Sequence, residues 1–133
     1  MSRENVELFH QAIDAFNRRD LDAYLATQDS EVEFTPYERA LEGLGPYRGH
    51  DGVRTWWEES LATLPDLNAE IHEVRAHGNL TFARGRLSGT GAESGASFDR
   101  MLWLANEWRE GKTVWWQAFG SEAEALEAAG LRE

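Results

Sequence analysis

Asp99 and Arg100 stand side by side in "SFDRMLW", an acid and a base within a segment whose alternation predicts a strand. Successive strand residues point to opposite faces, so the two do not share one site, and Asp99 sits with Met101 and Trp103 instead. A carboxyl buried beside such apolar groups has a raised pKa, which is what a general acid at neutral pH requires. A charged residue at a strand end more commonly stands in solvent or in an ion pair, and that is the preferred reading of Asp99. Tyr24, Tyr37 and Tyr47 can each donate a hydrogen bond into a pocket, and Glu38 and Arg39 fit its mouth.

The histidines offer less. His50, in "RGHDG", suits a capping turn at a helix start rather than a base. His10 flanks the apolar stripe of a helix, and His72 and His77 read as strand and turn residues. No His-x-x-x-His or His-x-His spacing occurs, so no metal site is expected. The Cys count of 0 removes thiolate ligands, cysteine nucleophiles and disulfides. A G-x-S-x-G elbow and a phosphate-binding glycine spacing are missing as well, and "GTGAESG" reads as a flexible connection. No cofactor is expected.

The 133 residues fit one domain spanning 1–133. A formal net charge of −11 repels phosphate backbones and anionic lipid, which argues against nucleic acid and membrane as partners. No apolar run reaches the length of a membrane span and no signal-peptide core opens the chain, so a cytoplasmic protein is the default. Six Trp suit either a bulky core or a lined cavity.

These residues must be positioned by helices and hairpins. Val6, Phe9, Ile13 and Phe16 form one helical stripe, with Ser2 as candidate cap; Asp20 caps a short helix carrying Leu21, Tyr24 and Leu25. "EVEFTP" alternates as a half-buried strand with Val32 and Phe34 inward, and Pro36 stops it. "YERALEGLGPYRG" reads as a loop. From about Asp51 a helix runs to Leu64 with Val53, Trp57, Leu61 and Leu64 on its stripe and Trp56 at the edge. Two hairpins follow, turning at "HGN" and "REG", and "SEAEALEAAGL" is a final helix with a capping box at Ser121 and Glu124 and a C-terminal cap at Gly130. Helices followed by hairpin-linked strands predict an α+β fold with an antiparallel sheet.

The segments "AFNRRDLDAYLATQDSEVEF", "YRGHDGVRTWWEE", "REGKTV" and "EALEAAGL", in this order, resemble the SnoaL-like proteins of the nuclear transport factor 2-like superfamily. The resemblance implies a cone-shaped α+β barrel: a strongly curved sheet wrapped around N-terminal helices, with an apolar cavity inside and the outer sheet face commonly a homodimer interface. Relatives include polyketide cyclases, limonene-epoxide hydrolases and ketosteroid isomerases, most of them working without metal or organic cofactor, alongside members that only bind.

In the cyclase and epoxide-hydrolase patterns an Asp follows a cavity-lining aromatic by two residues on the last strand. Trp116 matches the aromatic here, and Ala118 occupies the position of the acid. The hydrolase pattern also has an Arg and an Asp two apart on an earlier strand, where this chain has Arg84 and Arg86. Alanine transfers no proton, so both specific activities are disfavoured. The resulting expectation is a cavity protein for a small apolar or aromatic molecule, lined by Phe16, Tyr24, Phe34, Tyr47, Trp57, Met101, Trp103, Trp116 and Ala118. The alternative is a cofactor-independent cyclase, isomerase or hydrolase with Asp99, Arg84 and Tyr37 as its catalytic set; a dimeric interaction module with a filled core ranks third. If Val114, Trp116 and Ala118 face inward, Trp115, Gln117 and Phe119 face out, an apolar strip that a homodimer would cover.

Overall fold

The computed structural model describes residues 2–132, apart from the side chain of Ser2, so the expected Ser2 cap lies outside the described atoms. Helix α1 (Ser2–Asn17) and the short α2 (Leu21–Ala26) precede strand β1 (Gln28–Thr35). One-turn α3 (Tyr37–Leu41), two-residue β2 (Tyr47–Arg48) and long α4 (Gly49–Thr63) follow. Strands β3 (Asn68–His77), β4 (Leu80–Thr90), β5 (Ser97–Arg109) and β6 (Lys112–Phe119) lead to α5 (Glu122–Gly130). No helix among the described residues is long and apolar enough to cross a membrane.

The sheet is open, in the order β2-β1-β6-β5-β4-β3. All pairs are antiparallel except β1 with β6, which run parallel and make the sheet mixed rather than purely antiparallel. Helix α1 packs on β3 and β4, and α4 on β1, so both long helices cover the same inner face. Phe9, Ala12, Ala15 and Phe16 are the buried stripe of α1. Burying side chains as large as these two phenylalanines contributes roughly 1.5–3 kcal/mol each.

Polar ties fix the end of α1. The Asn17 amide donates to the Ala69 carbonyl at 2.9 Å and accepts from the Ala69 N–H at 3.0 Å, standing in for a strand neighbour on β3. Arg19, held at φ +64°, donates to the carbonyls of Pro65 at 3.0 Å and Leu67 at 2.5 Å. Asp20 accepts from the Ala23 N–H at 3.0 Å, the expected cap of α2, and Ser121 accepts from the Glu124 N–H at 3.3 Å. The "REG" turn is a two-residue loop between Arg109 and Lys112 with φ +52° at Glu110 and +79° at Gly111, the mirror-image geometry that suits twisted hairpins.

Several local readings change. The segment after Pro36 is not all loop, because α3 and β2 order it. Gly130 closes α5 from within the helix rather than as a left-handed cap. The outer face of the sheet is covered from within the chain: α5 packs Ala125 and Ala129 onto Leu80, Ala105, Trp115 and Phe119. Trp115 is therefore only 6% exposed and Phe119 7%, and the Arg132 guanidinium lies 4.6 Å from the Trp115 ring. The bare apolar strip that called for a second subunit does not exist at these two residues.

Candidate functional site

Between α1, α2, α4 and the inner face of the sheet lies a cavity of about 450 Å³, within the size range of small-molecule sites. The strands build its floor by their alternation. Phe98, Leu102 and Leu104 of β5 line it, as do Trp116 and Ala118 of β6, Leu87 of β4 and Ala69 of β3. Leu104 is the register partner of Ala118, so the alanine opens space directly beside a leucine. Ile13 and Phe16 of α1 and Tyr24 of α2 form the opposite wall.

Helix α4 presents two adjoining stripes. Val53 and Trp57 are buried in the core, whereas Trp56, Glu59, Ser60 and Thr63 line the cavity. The expected roles of the two tryptophans are thus exchanged: Trp57 packs behind the wall, 5.3 Å from both Phe16 and Tyr24 between ring centroids, and Trp56 forms the surface. Hydrophobic periodicity marks the buried stripe and misses the lining one, because the latter is half polar. Phe34 also serves from behind: fully buried, it stacks on Trp116 with centroids 4.1 Å apart and meets Trp56 at 4.7 Å.

The mouth is polar. Tyr37, Glu38 and Arg39 of α3 and Tyr47 of β2 line it opposite Glu59. The Tyr47 hydroxyl donates to the Glu59 carboxylate at 3.1 Å, and the Arg39 guanidinium lies 4.2 Å from the Tyr47 ring while its Nε donates to the Gly45 carbonyl at 2.7 Å. Burial pushes the Tyr47 hydroxyl pKa up, and the Glu59 hydrogen bond adds to this against the pull of Arg39. Tyr37 packs across Gly120, where an added Cβ would stand 3.0 Å from the tyrosine hydroxyl. Deep inside, Tyr24 is 6% exposed and its hydroxyl has no hydrogen-bond partner among the described residues; burial alone pushes its pKa far up.

The expected catalytic set does not come together. Asp99 lies on the outer face with Met101 and Trp103, and its carboxylate accepts two hydrogen bonds from Arg86, at 2.6 and 2.7 Å. That pairing holds the Asp99 pKa below the ordinary carboxylate value, the opposite of a buried acid. Arg84 is the register partner of Trp103 and shares that outer face. Met101 and Trp103 are removed from the cavity for the same reason: they do share a face with Asp99, and it is the outside one. Of the adjacent pair in "FDR", Arg100 is on the cavity side, between the lining residues Phe98 and Leu102, with its guanidinium 4.9 Å from the Tyr37 ring. Phe16, Tyr24, Tyr37, Tyr47, Trp116 and Ala118 do border the cavity. Val114 is the extra residue of a bulge, since β6 spends two residues where β5 spends one between Glu107 and Trp108.

The histidines stay outside. His50 hydrogen-bonds the Gln28 carbonyl through Nε2 at 2.8 Å, and His72 contacts Glu70 at 2.7 Å. Among the described residues no three His, Cys, Asp or Glu side chains are grouped to hold a metal ion.

Comparison with known proteins places this architecture. An NTF2-like protein of unknown function from Burkholderia pseudomallei superposes with a TM-score of 0.79 at 23% identity, over 96% of this chain and 97% of that one. TerC, crystallised with polyporic acid, gives 0.77 at 17% identity over 93% and 96% of the two chains. IdmH from Streptomyces antibioticus, provisionally named a polyketide cyclase, gives 0.74 at 18% identity over 94% and 97%. At these identities the likeness is one of fold. Comparison with curated proteins returned no match. The model of the SnoaL-like domain matches residues 9–118, and the chain belongs to that family.

Proposed function

We propose that this chain binds a small, mostly apolar aromatic molecule in the cavity between its helices and sheet. The observation that carries this is a chamber of about 450 Å³ whose wall is largely Phe16, Tyr24, Trp56, Leu102, Leu104 and Trp116, with Ala118 where the resemblance places an acid. Aromatic faces offer stacking and edge contacts to a flat ligand, and the few polar groups at the mouth orient it. That TerC was crystallised with polyporic acid agrees with this reading, as a property of that neighbour.

Titration with naphthalene and anthracene derivatives tests it. Trp56 and Trp116 line the chamber, so saturable quenching of tryptophan emission supports the proposal. No response to any member of the series removes it.

An enzymatic reading, as a cofactor-independent cyclase, isomerase or hydrolase, draws support from the hydrogen-bonded Tyr47 and Glu59 at the mouth. They, rather than Asp99 and Arg84, are then the groups to alter: loss of turnover in Glu59→Gln with ligand affinity retained supports it. Pairing of two copies through the outer face would use Met101, Trp103 and Gln117, which α5 leaves half-buried. A clean monomer by light scattering at micromolar concentration removes that arrangement.

A further inference from the structure

Resting on the cavity reading above, we infer that the ligand is an aromatic acid, its rings in the chamber and its carboxylate held at the mouth by Arg100. Three observations converge on this. Arg100 alternates on β5 with Phe98 and Leu102, both of which line the cavity, so it stands on the cavity-facing side of the strand, exposed at the rim rather than among the lining residues. Its guanidinium lies 4.9 Å from the Tyr37 ring, which borders the same mouth, and it makes no hydrogen bond or ion pair among the described residues. The acid next to it in sequence does not neutralise it: Asp99 points to the other face and is taken by both donors of Arg86.

The other charges at the mouth are already engaged or carry the wrong sign for a carboxylate. Glu59 accepts the Tyr47 hydroxyl, Arg39 is held by the Gly45 carbonyl and the Tyr47 ring, and Glu38 stands exposed on α3. Arg39 spends only its Nε on a hydrogen bond, whereas Arg100 is the cation beside this opening whose whole planar fork of donors is unspent, and that fork matches a carboxylate. Stacking on Tyr37 fixes one face of the guanidinium and leaves its edge N–H groups for the ligand.

On the wall facing the sheet, Tyr24 lines the cavity, and its hydroxyl makes no hydrogen bond among the described residues. That hydroxyl is not among the buried polar atoms left without a partner, so it is open to water, and an oxygen at the far end of the ligand replaces that water. The ligand class is then a flat aromatic carboxylic acid carrying a hydroxyl or carbonyl remote from its carboxylate.

Three probes separate these elements by fluorescence or calorimetric titration: 6-hydroxy-2-naphthoate, its neutral amide 6-hydroxy-2-naphthamide, and 2-naphthoate. The hydroxy acid is expected to bind tightest. Arg100→Gln should weaken it about fivefold while leaving the amide unchanged, the scale of one partly exposed charge-assisted contact. Tyr24→Phe should abolish the preference for the hydroxy acid over 2-naphthoate without changing the acid-over-amide ratio.

An amide that binds the wild-type chain as tightly as the acid overturns the inference while the cavity reading stands. Equal weakening of acid and amide by Arg100→Gln overturns it too, since the arginine then acts only through structure. Absence of binding by all three overturns both readings.

Discussion

Trp116 lies flat against Phe34, ring centroids 4.1 Å apart and planes 17° from parallel, and the two are also register partners in the parallel pairing of β6 with β1. The stack joins the strand pair that interrupts the antiparallel order to the wall of the cavity. One face of Trp116 is thus spent on structure and the other is offered to the chamber. Trp116→Ala should lower stability by about 2–3 kcal/mol, less than for a fully enclosed indole because the cavity side is already empty. Trp116→Phe, which keeps the stack, should lose less than half of that. Denaturant midpoints at constant slope measure both, and an alanine variant as stable as its parent would show that the stack contributes nothing.

Two exposed carboxylates should shape the acid limb of the stability curve. Asp66 accepts a hydrogen bond from the Thr90 N–H at 2.6 Å and Asp99 accepts two from Arg86, and each is held below its ordinary value of 3.8, Asp66 mainly by that backbone bond and Asp99 by the arginine. A depressed folded pKa means that the unfolded chain binds the proton first. The stabilisation is fully present above the unfolded value and is lost as pH falls through the folded one. In Asp66→Asn/Asp99→Asn the melting temperature should fall less steeply below about pH 4 than in the parent. A slope identical to the parent's would place the acid sensitivity elsewhere.

Strand alternation tells which residues share a face but not which face is inside. On β6 the aromatic doublet sorts itself, because Trp116 and Ala118 must oppose Trp115 and Phe119. On β5 the same logic groups Asp99, Met101 and Trp103 together, yet their face is the outer one, and Phe98, Leu102 and Leu104 are the quieter signal of the inner. The covering of the outer face by α5 is a tertiary contact with no local signature in β5 or β6. On α4, neighbours such as Trp56 and Trp57 are only about 100° apart, so either can meet the cavity until the helix is rotated into place. The one-turn α3 is too short to show any period, and it supplies three residues of the mouth.

Gly120 tests how far the mouth depends on Tyr37. Its added Cβ would stand 3.0 Å from the tyrosine hydroxyl and 3.1 Å from Cε1, so the ring must give way, and the Arg100 guanidinium stacked on it moves too. Gly120 is not among the residues at positive φ, so alanine brings no backbone strain of its own. Gly120→Ala should therefore change the melting temperature by less than about 3 °C, while weakening an aromatic acid severalfold. Adding Tyr37→Phe, which removes the closest atom, should restore part of the affinity. Unchanged binding in Gly120→Ala would show that the mouth tolerates a displaced Tyr37.

Ala118 carries the argument about chemistry furthest. It is 1% exposed, opposite Leu104 on the inner face, with Leu102 and Trp108 in the same apolar cluster. Ala118→Asp would put a carboxyl there with no cation among those neighbours, and desolvation would raise its pKa. A raised folded pKa means that the variant matches its parent best at low pH and loses ground as pH rises past the unfolded carboxyl value. The gap in stability, read from urea midpoints, should widen between about pH 4 and pH 7, reaching about 2 kcal/mol or more, the cost of burying an unpaired polar group. Affinity for neutral aromatics should fall in parallel, because the acid both shrinks the chamber and draws water into it. An Ala118→Asp variant as stable at neutral pH as at low pH would mean that this end of the cavity already solvates a charge. The alanine would then not be what keeps the chamber apolar, and the case for binding without acid catalysis would lose its main support.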